Sequence, residues 1–432
     1  GLRGMSRYRN SNLKALGAIL KSPINVFETS PDETDGEDEW LLGEALSMLS
    51  AMEPFDRKKL FVITRGGWVR GKNLRMIEAL IKRGNLERKI HQLDTEIQLC
   101  VSQEYLKDQI ERSIYRMGIN SLDLFLLRVP IFFEGDIFDE ICDALKFLEE
   151  QYNAGKINSY GLSLFELKNK VASFSDFPLE KLKNKLKGFR ALEVTGNFVN
   201  KQAFMSEQGK ESIIKRAKKL GLKVIVGNPF KAQIENKPVW LADYFVNSSW
   251  EEAAKELLNK AKNLELEIQK TPLADNRTLE EAMRDARIRS PFNFSQMLLA
   301  CLEKKEPSSD DYSRLEEAAN QSISMSKTVR DQLIKAKLLS KLEFEESLSD
   351  IESLFDNVLF GLRCFIRFQI NCEIKEIRET HFGDKPEKLQ VLGINWLFEQ
   401  GVDIVLNKIS HPEYIDDILS ILGKTGRFNK IT

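Results

Sequence analysis

Through its first half this chain alternates short β-rich apolar runs with helical segments, and that rhythm limits its fold more than any other feature. The runs are Ile24 to Glu28, Leu60 to Thr64, Leu122 to Leu127, Ser159 to Leu162, Ala191 to Val194 and Lys223 to Val226. A strand that is apolar on both sides must be covered on both faces, and a helix between successive strands supplies the cover. The pattern predicts a parallel α/β sheet. One helix carries both end signals: Ser102 as N-cap, Leu106, Ile110, Ile114 and Met117 on one face, and Gly118 as the C-terminal stop. Others are expected near Asp136 to Tyr152 and Lys210 to Lys219.

The alternation lapses after Pro229 and resumes near Leu392, where Gly393-Ile-Asn-Trp-Leu-Phe398 leads through Gly401 to a strand at Val402 to Leu406. The expected organisation is therefore residues 1–230 as the strands of one body, 231–388 as a helical insertion, and 389–432 as a closing helix, last strand and last helix. Within the insertion, Trp250, Leu257, Ala261, Leu264 and Ile268 form an apolar stripe, and Ser308-Ser309-Asp310-Asp311 reads as an exposed turn or mobile linker. The segment from Phe355 to Ile370 is apolar on nearly every side, so it is expected either to be buried or to bind a partner.

Charge removes several function classes. Lys plus Arg total 64 and Asp plus Glu 65, so no net field draws the whole chain to nucleic acid or an acidic membrane. Local basic runs remain, Lys181 to Lys187 and the series Arg65, Arg70, Lys72, Arg75, Lys82, Arg83 and Arg88, which leave RNA contact as a subsidiary reading. Cys100, Cys142, Cys301, Cys364 and Cys372 lack C-x-x-C spacing, and His91, His381 and His411 lack ligand-spaced partners, so neither a disulfide framework nor a metal site is expected. The segment around Phe355 is too short and too charged to span a bilayer. The chain opens on Gly1 without an initiator Met; with the reduced cysteines and the replaced catalytic positions described below, this makes a mitochondrial location the expectation and a cytoplasmic one the alternative.

The order of segments resembles the aldo-keto reductase family. Glu28-Thr-Ser-Pro-Asp-Glu33-Thr-Asp-Gly-Glu-Asp-Glu-Trp-Leu-Leu-Gly43 aligns without a gap to the family's second-strand motif D-T-A-x-x-Y-G-x-G-x-S-E-x-x-L-G. Phe61-Val-Ile-Thr-Arg65 is similar to F-I-x-T-K, and Asp123-Leu-Phe-Leu-Leu-Arg128-Val-Pro130 to D-L-Y-L-L-H-x-P. Gly155-Lys-Ile-Asn-Ser-Tyr-Gly-Leu-Ser163-Leu164 follows G-K-I-R-x-x-G-V-S-N, and Val402 through Glu413 resembles the last strand with its phosphate turn. The resemblance covers roughly the first 230 residues and the last 45. It implies a (β/α)8 TIM barrel with the helical insertion between strands 7 and 8.

The resemblance also implies where chemistry would sit. The family's aspartate, tyrosine, lysine and histidine fall on Glu28, Glu33, Arg65 and Arg128. An arginine stays charged, so Arg65 and Arg128 cannot shuttle a proton, and guanidinium neighbours oppose the raised pKa that Glu33 would need to act as an acid. Two carboxylates and two guanidiniums suggest a charge-neutral ion-pair cluster instead. Of the family's NADP contacts, Ser163 survives beside Leu164, while Lys408 replaces a glycine of the phosphate turn. The expected function is thus a non-catalytic barrel, a structural or accessory subunit that meets other protein subunits through the helical insertion, without a cofactor. An NADP-dependent oxidoreductase of altered mechanism, or an RNA-contacting subunit, is the alternative.

Overall fold

The computed structural model describes residues 1–2, 5, 7, 10–52, 56–82, 84, 90–93, 98–131, 137–166, 173–183, 185–207, 209–234, 237–243, 250–285, 295–296, 299, 309–338, 349–350, 352–356, 358–359, 362, 371–407, 419 and 421. Contacts divide the chain into two compact units, one of residues 1–7, 12–241 and 384–432, the other of 8–11 and 242–383.

The first unit is built on a seven-stranded sheet whose strands follow one another in chain order. They are β1 (Val26–Glu28), β2 (Phe61–Gly66), β3 (Leu124–Pro130), β4 (Tyr160–Phe165), β5 (Phe189–Thr195), β6 (Lys223–Gly227) and β7 (Ile404–Leu406). Every neighbouring pair is parallel. Consecutive parallel neighbours with helices between them are the arrangement expected of an α/β barrel. Eight strands were expected and the described residues supply seven. Between the outer two, Leu2 N donates to the Glu28 carbonyl at 2.8 Å and Gly1 N to the Asn407 carbonyl at 2.6 Å. Two residues of backbone therefore bridge β1 and β7 without forming a strand of their own.

Period-two alternation decides what each side of the sheet contains. Val62, Phe125, Leu127, Val129, Tyr160, Leu162, Leu192, Val194, Val224 and Val226 face the helices and join the large core with Leu41, Leu106, Ile110, Leu145 and Leu148. Ile63, Leu124, Leu126, Ala191, Ile225, Ile404 and Leu406 face inward and form a separate apolar cluster. The helix Gln103–Met117 keeps its sequence signals: the Ser102 hydroxyl accepts from Tyr105 N at 3.3 Å, and Gly118 adopts φ +62°, which a side chain would make costly.

Between β6 and β7 run a hairpin, Lys231–Ile234 with Lys237–Trp240, and the helices Trp250–Lys270, Leu279–Asp285, Ser309–Lys335, Asn371–Phe382 and Leu389–Glu399. Ser309, Asp310 and Asp311, read from sequence as part of a turn, instead open the 27-residue helix. Residues that make good turns also make good helix starts, because acids there meet the positive end of the dipole. Within the second unit Phe355, Val358, Leu359 and Leu362 are buried, and the rest of the stretch through Ile370 lies outside the described residues. No described helix is long and apolar enough to cross a membrane.

Candidate active site

The inward face changes character along the strands, apolar at their amino ends and ionic at their carboxyl ends. Register produces this: Arg128 pairs with Ser163 across β3 and β4, and Ser163 with Glu193 across β4 and β5. Residues paired across a sheet point to the same side, so all three face the interior in one layer. Arg65 on β2 is paired in register with Leu126 and Glu28 at the end of β1 with Ile63, so both face the same interior and reach this row through their side chains.

Arg65 is the hub. Its guanidinium meets Glu193 as a two-pronged fork, Nε to Oε2 at 3.0 Å and Nη2 to Oε1 at 2.5 Å. Nη1 donates to the Ser30 hydroxyl at 2.7 Å and pairs with Glu28 Oε1, which itself accepts from Ser30 at 2.8 Å. Glu28, Arg65 and Glu193 are 4 to 5 % exposed. Burial opposes ionisation of Glu193, but the charge and hydrogen bonds of Arg65, with a further bond from Ser163, hold its carboxyl below the ordinary range. Gly227 on β6 makes room for it, since a Cβ there would lie 2.7 Å from Glu193 Oε1.

Arg128 takes the second pair of acids. Nε lies 2.7 Å from Asp32 Oδ2, and Nη2 lies 2.9 Å from Glu33 Oε1. The guanidinium carbon stands 4.0 Å from the centre of the Trp68 ring, which adds a cation–π contact. Asp32 and Glu33 are placed by a single helical turn, Pro31–Thr34, with proline at its start and Asp35 closing it in the left-handed region at φ 53°. Burial raises the Asp32 pKa, and the adjacent Glu33 adds to this against the pull of Arg128. Asp38 anchors the same turn, accepting from Ser30 N at 2.5 Å and from the Thr34 hydroxyl at 2.6 Å. Burial first, then the charge of Glu39, pushes its pKa up from 3.8 to about 8. Glu39 accepts from Thr64 and Arg116, each at 2.7 Å.

The four expected positions thus meet as Glu28 with Arg65 and Glu33 with Arg128, but Asp32 and Glu193 join them. Four carboxylates face two guanidiniums, so the cluster departs from the two-against-two balance read from sequence. The extra acid adds to burial in raising Asp32. Glu193 had a signal that went unread: it is a carboxylate at the period-two position after Ala191 inside an otherwise apolar run. Asp32 offered only its adjacency to Glu33. Lys408 lies outside the described residues.

A phenol also approaches this end. Tyr105 donates its hydroxyl to the Trp68 carbonyl at 2.7 Å. Burial, followed by the charge of Asp32, raises its pKa well above 10. Of the basic runs, Arg65 is spent inside, while Arg75, Lys82, Lys181, Lys185 and Lys187 are exposed.

Residues 6–288 match the profile of the Aldo/keto reductase family. Among solved structures, the chain is similar to an aldo-keto reductase from Bacillus halodurans in its holo form, at 16 % identity, with 82 % of this chain and 91 % of that one covered and a TM-score of 0.36. It is also similar to the glycerol dehydrogenase from Gluconobacter oxydans, at 15 % identity, with 88 % and 89 % covered and a TM-score of 0.37. No curated protein matches the sequence.

Proposed function

The chain belongs to the Aldo/keto reductase family, and we propose that it is a non-catalytic member, a barrel that serves as a structural or accessory subunit. The observation that carries this reading is the commitment of Arg65: its fork is closed on Glu193 and its remaining arm on Glu28 and Ser30. Carbonyl reduction needs a group that gives a proton to the substrate oxygen as hydride arrives. The guanidiniums of Arg65 and Arg128 hold theirs at any biological pH. Glu33 is engaged with Arg128, Oε1 to Nη2 at 2.9 Å. Tyr105 donates its hydroxyl proton to a backbone carbonyl, and its pKa is moved in the wrong direction. Losing a positioned acid costs on the order of 10²–10⁴-fold in rate.

Ser163, the surviving cofactor position, does not fit a dinucleotide well in this setting. It is buried, and its hydroxyl is engaged with Glu193. The subunit role draws support from the second unit and its long charged helices, Trp250–Lys270 and Ser309–Lys335. They leave Leu266 and Met325 half-exposed. Two measurements test the proposal. Titration with NADPH, followed by its fluorescence, should give no saturable signal at micromolar cofactor, and purification of the tagged protein from its native source should recover stoichiometric partners. NADPH-dependent reduction of aldehydes above background would overturn the non-catalytic reading, and recovery as a lone monomer would overturn the subunit reading.

A further inference from the structure

Because all seven strands are parallel, the loops that precede them gather at one edge, the amino end of the barrel. That edge is basic between β2 and β5. Arg57-Lys58-Lys59 precedes β2, Lys156 precedes β4, and Lys181-Leu-Lys-Asn-Lys-Leu-Lys-Gly-Phe-Arg190 leads into β5 without one acid. Lys58, Lys59, Lys156, Lys181, Lys185, Lys187 and Arg190 are exposed.

Of the described acids at this edge, Glu150 is exposed, while Asp123, Asp56, Glu149 and Glu180 are engaged. Asp123 pairs with Arg57 at 2.7 Å, and Asp56 accepts from Lys58 N at 3.0 Å. Glu149 accepts from the Tyr160 hydroxyl and from the backbone of Lys187 and Gly188, and Glu180 is held by Arg216 at 2.8 and 2.5 Å. Cations near a helix C-terminus need no partner to explain them, which covers Lys181 and Lys183 in the short helix Leu179–Lys183. That explanation does not reach Lys185, Lys187 and Arg190, which lie beyond the helix, or Lys156 in the turn before β4.

We propose that the amino end of the barrel, from Lys58 and Lys59 past Lys156 to the Lys181–Arg190 run, binds the phosphate backbone of double-stranded nucleic acid. Three inter-strand steps of about 4.8 Å separate β2 from β5, an arc of about 14 Å. A duplex presents one charge per ~1.7 Å of axis with both strands counted, so it offers the seven exposed cations a dense row of phosphates over that arc. An extended acidic peptide offers at most one charge per ~3.3 Å, about half that density. Among the described residues, the large exposed apolar side chains, Met48, Tyr115, Met205, Leu266, Leu299 and Met325, all lie outside these loops. Single-stranded recognition would need such side chains for base stacking, and membrane insertion would need them for the acyl layer. This inference stands whether or not the opposite end of the barrel is inert.

The test uses the full chain with fluorescent RNA and DNA duplexes of about 20 base pairs, read by anisotropy between about 50 and 200 mM salt. Binding is expected to fall steeply with salt. The variant K181Q/K185Q/K187Q/R190Q should lose about 10²-fold in affinity, with the log–log salt slope reduced by about 3 to 4. K255Q/K262Q/K335Q/K337Q, an equal charge change on exposed residues of the second unit, should bind like the parent. Which duplex binds more tightly identifies the source of the phosphates. Absence of binding at the lowest salt would overturn the proposal, as would equal losses in both variants. Polyglutamate or anionic vesicles that compete as well as a duplex would also overturn it, by showing that any polyanion suffices.

Discussion

The two ends of the barrel handle charge in opposite ways. At the carboxyl end four carboxylates and two guanidiniums are buried against one another, and around Arg65 almost every polar atom has a partner. At the amino end the cations are exposed while Glu149 and Glu180 beside them are taken up by backbone and a neighbouring arginine. Buried charge must be answered inside the molecule, because an uncompensated ion there costs several kcal/mol. Exposed charge is hydrated and can stay available to something outside. The same residue types therefore hold the fold at one end and present a surface at the other.

The largest effect should come from breaking the buried end. Arg65→Met would leave Glu28 and Glu193 facing each other without a counter-charge, and should lower unfolding free energy in urea by about 3–5 kcal/mol. A loss below about 1 kcal/mol would show that the cluster does not brace the barrel. Next comes Gly227→Ala, whose new methyl group would meet the Glu193 carboxylate that Arg65 pins in place. About 1–3 kcal/mol is expected, and a double-mutant cycle should find the penalty relieved in a Glu193→Ala background. An unrelieved penalty would place the clash elsewhere.

Asp38 sharpens the contrast through pH. Its folded pKa lies above its ordinary value, so the native state binds the extra proton, and the favourable contribution is complete only below about 3.8. It erodes as pH rises toward about 8. Glu193, with its pKa depressed, has the opposite sign, its contribution being present above the ordinary glutamate range and lost on acidification. Asp38→Asn should therefore flatten the stability profile between pH 4 and 8 while leaving the acid limb in place. An unchanged profile would mean that Asp38 is ionised in the native protein. The smallest effect belongs to the exposed end, where Lys185→Gln with Lys187→Gln should change stability by no more than about 0.5 kcal/mol. A larger change would show that these lysines hold the fold.

Much of the barrel could be read from local pattern. The runs at 24, 60, 122, 159, 191 and 223 are all strands, and Ser102 and Gly118 bound their helix as expected. Glu28 pairs with Arg65, and Glu33 with Arg128. Asp32 and Glu193 were missed for different reasons. Asp32 enters because a one-turn helix rotates it toward Arg128, and local sequence does not specify that rotation. Glu193 enters because it reaches a partner 128 residues away. The opening of the helix at Ser309 was misread because turn starts and helix starts use the same side chains.

What the sequence by itself determined is which residues face inward and in what order the strands are laid down, since period-two alternation and helix end signals act over a few residues. Which carboxylate answers which guanidinium was decided only by the tertiary structure. That choice depends on strand register and on the space left by Gly227, and both follow from packing across the whole sheet.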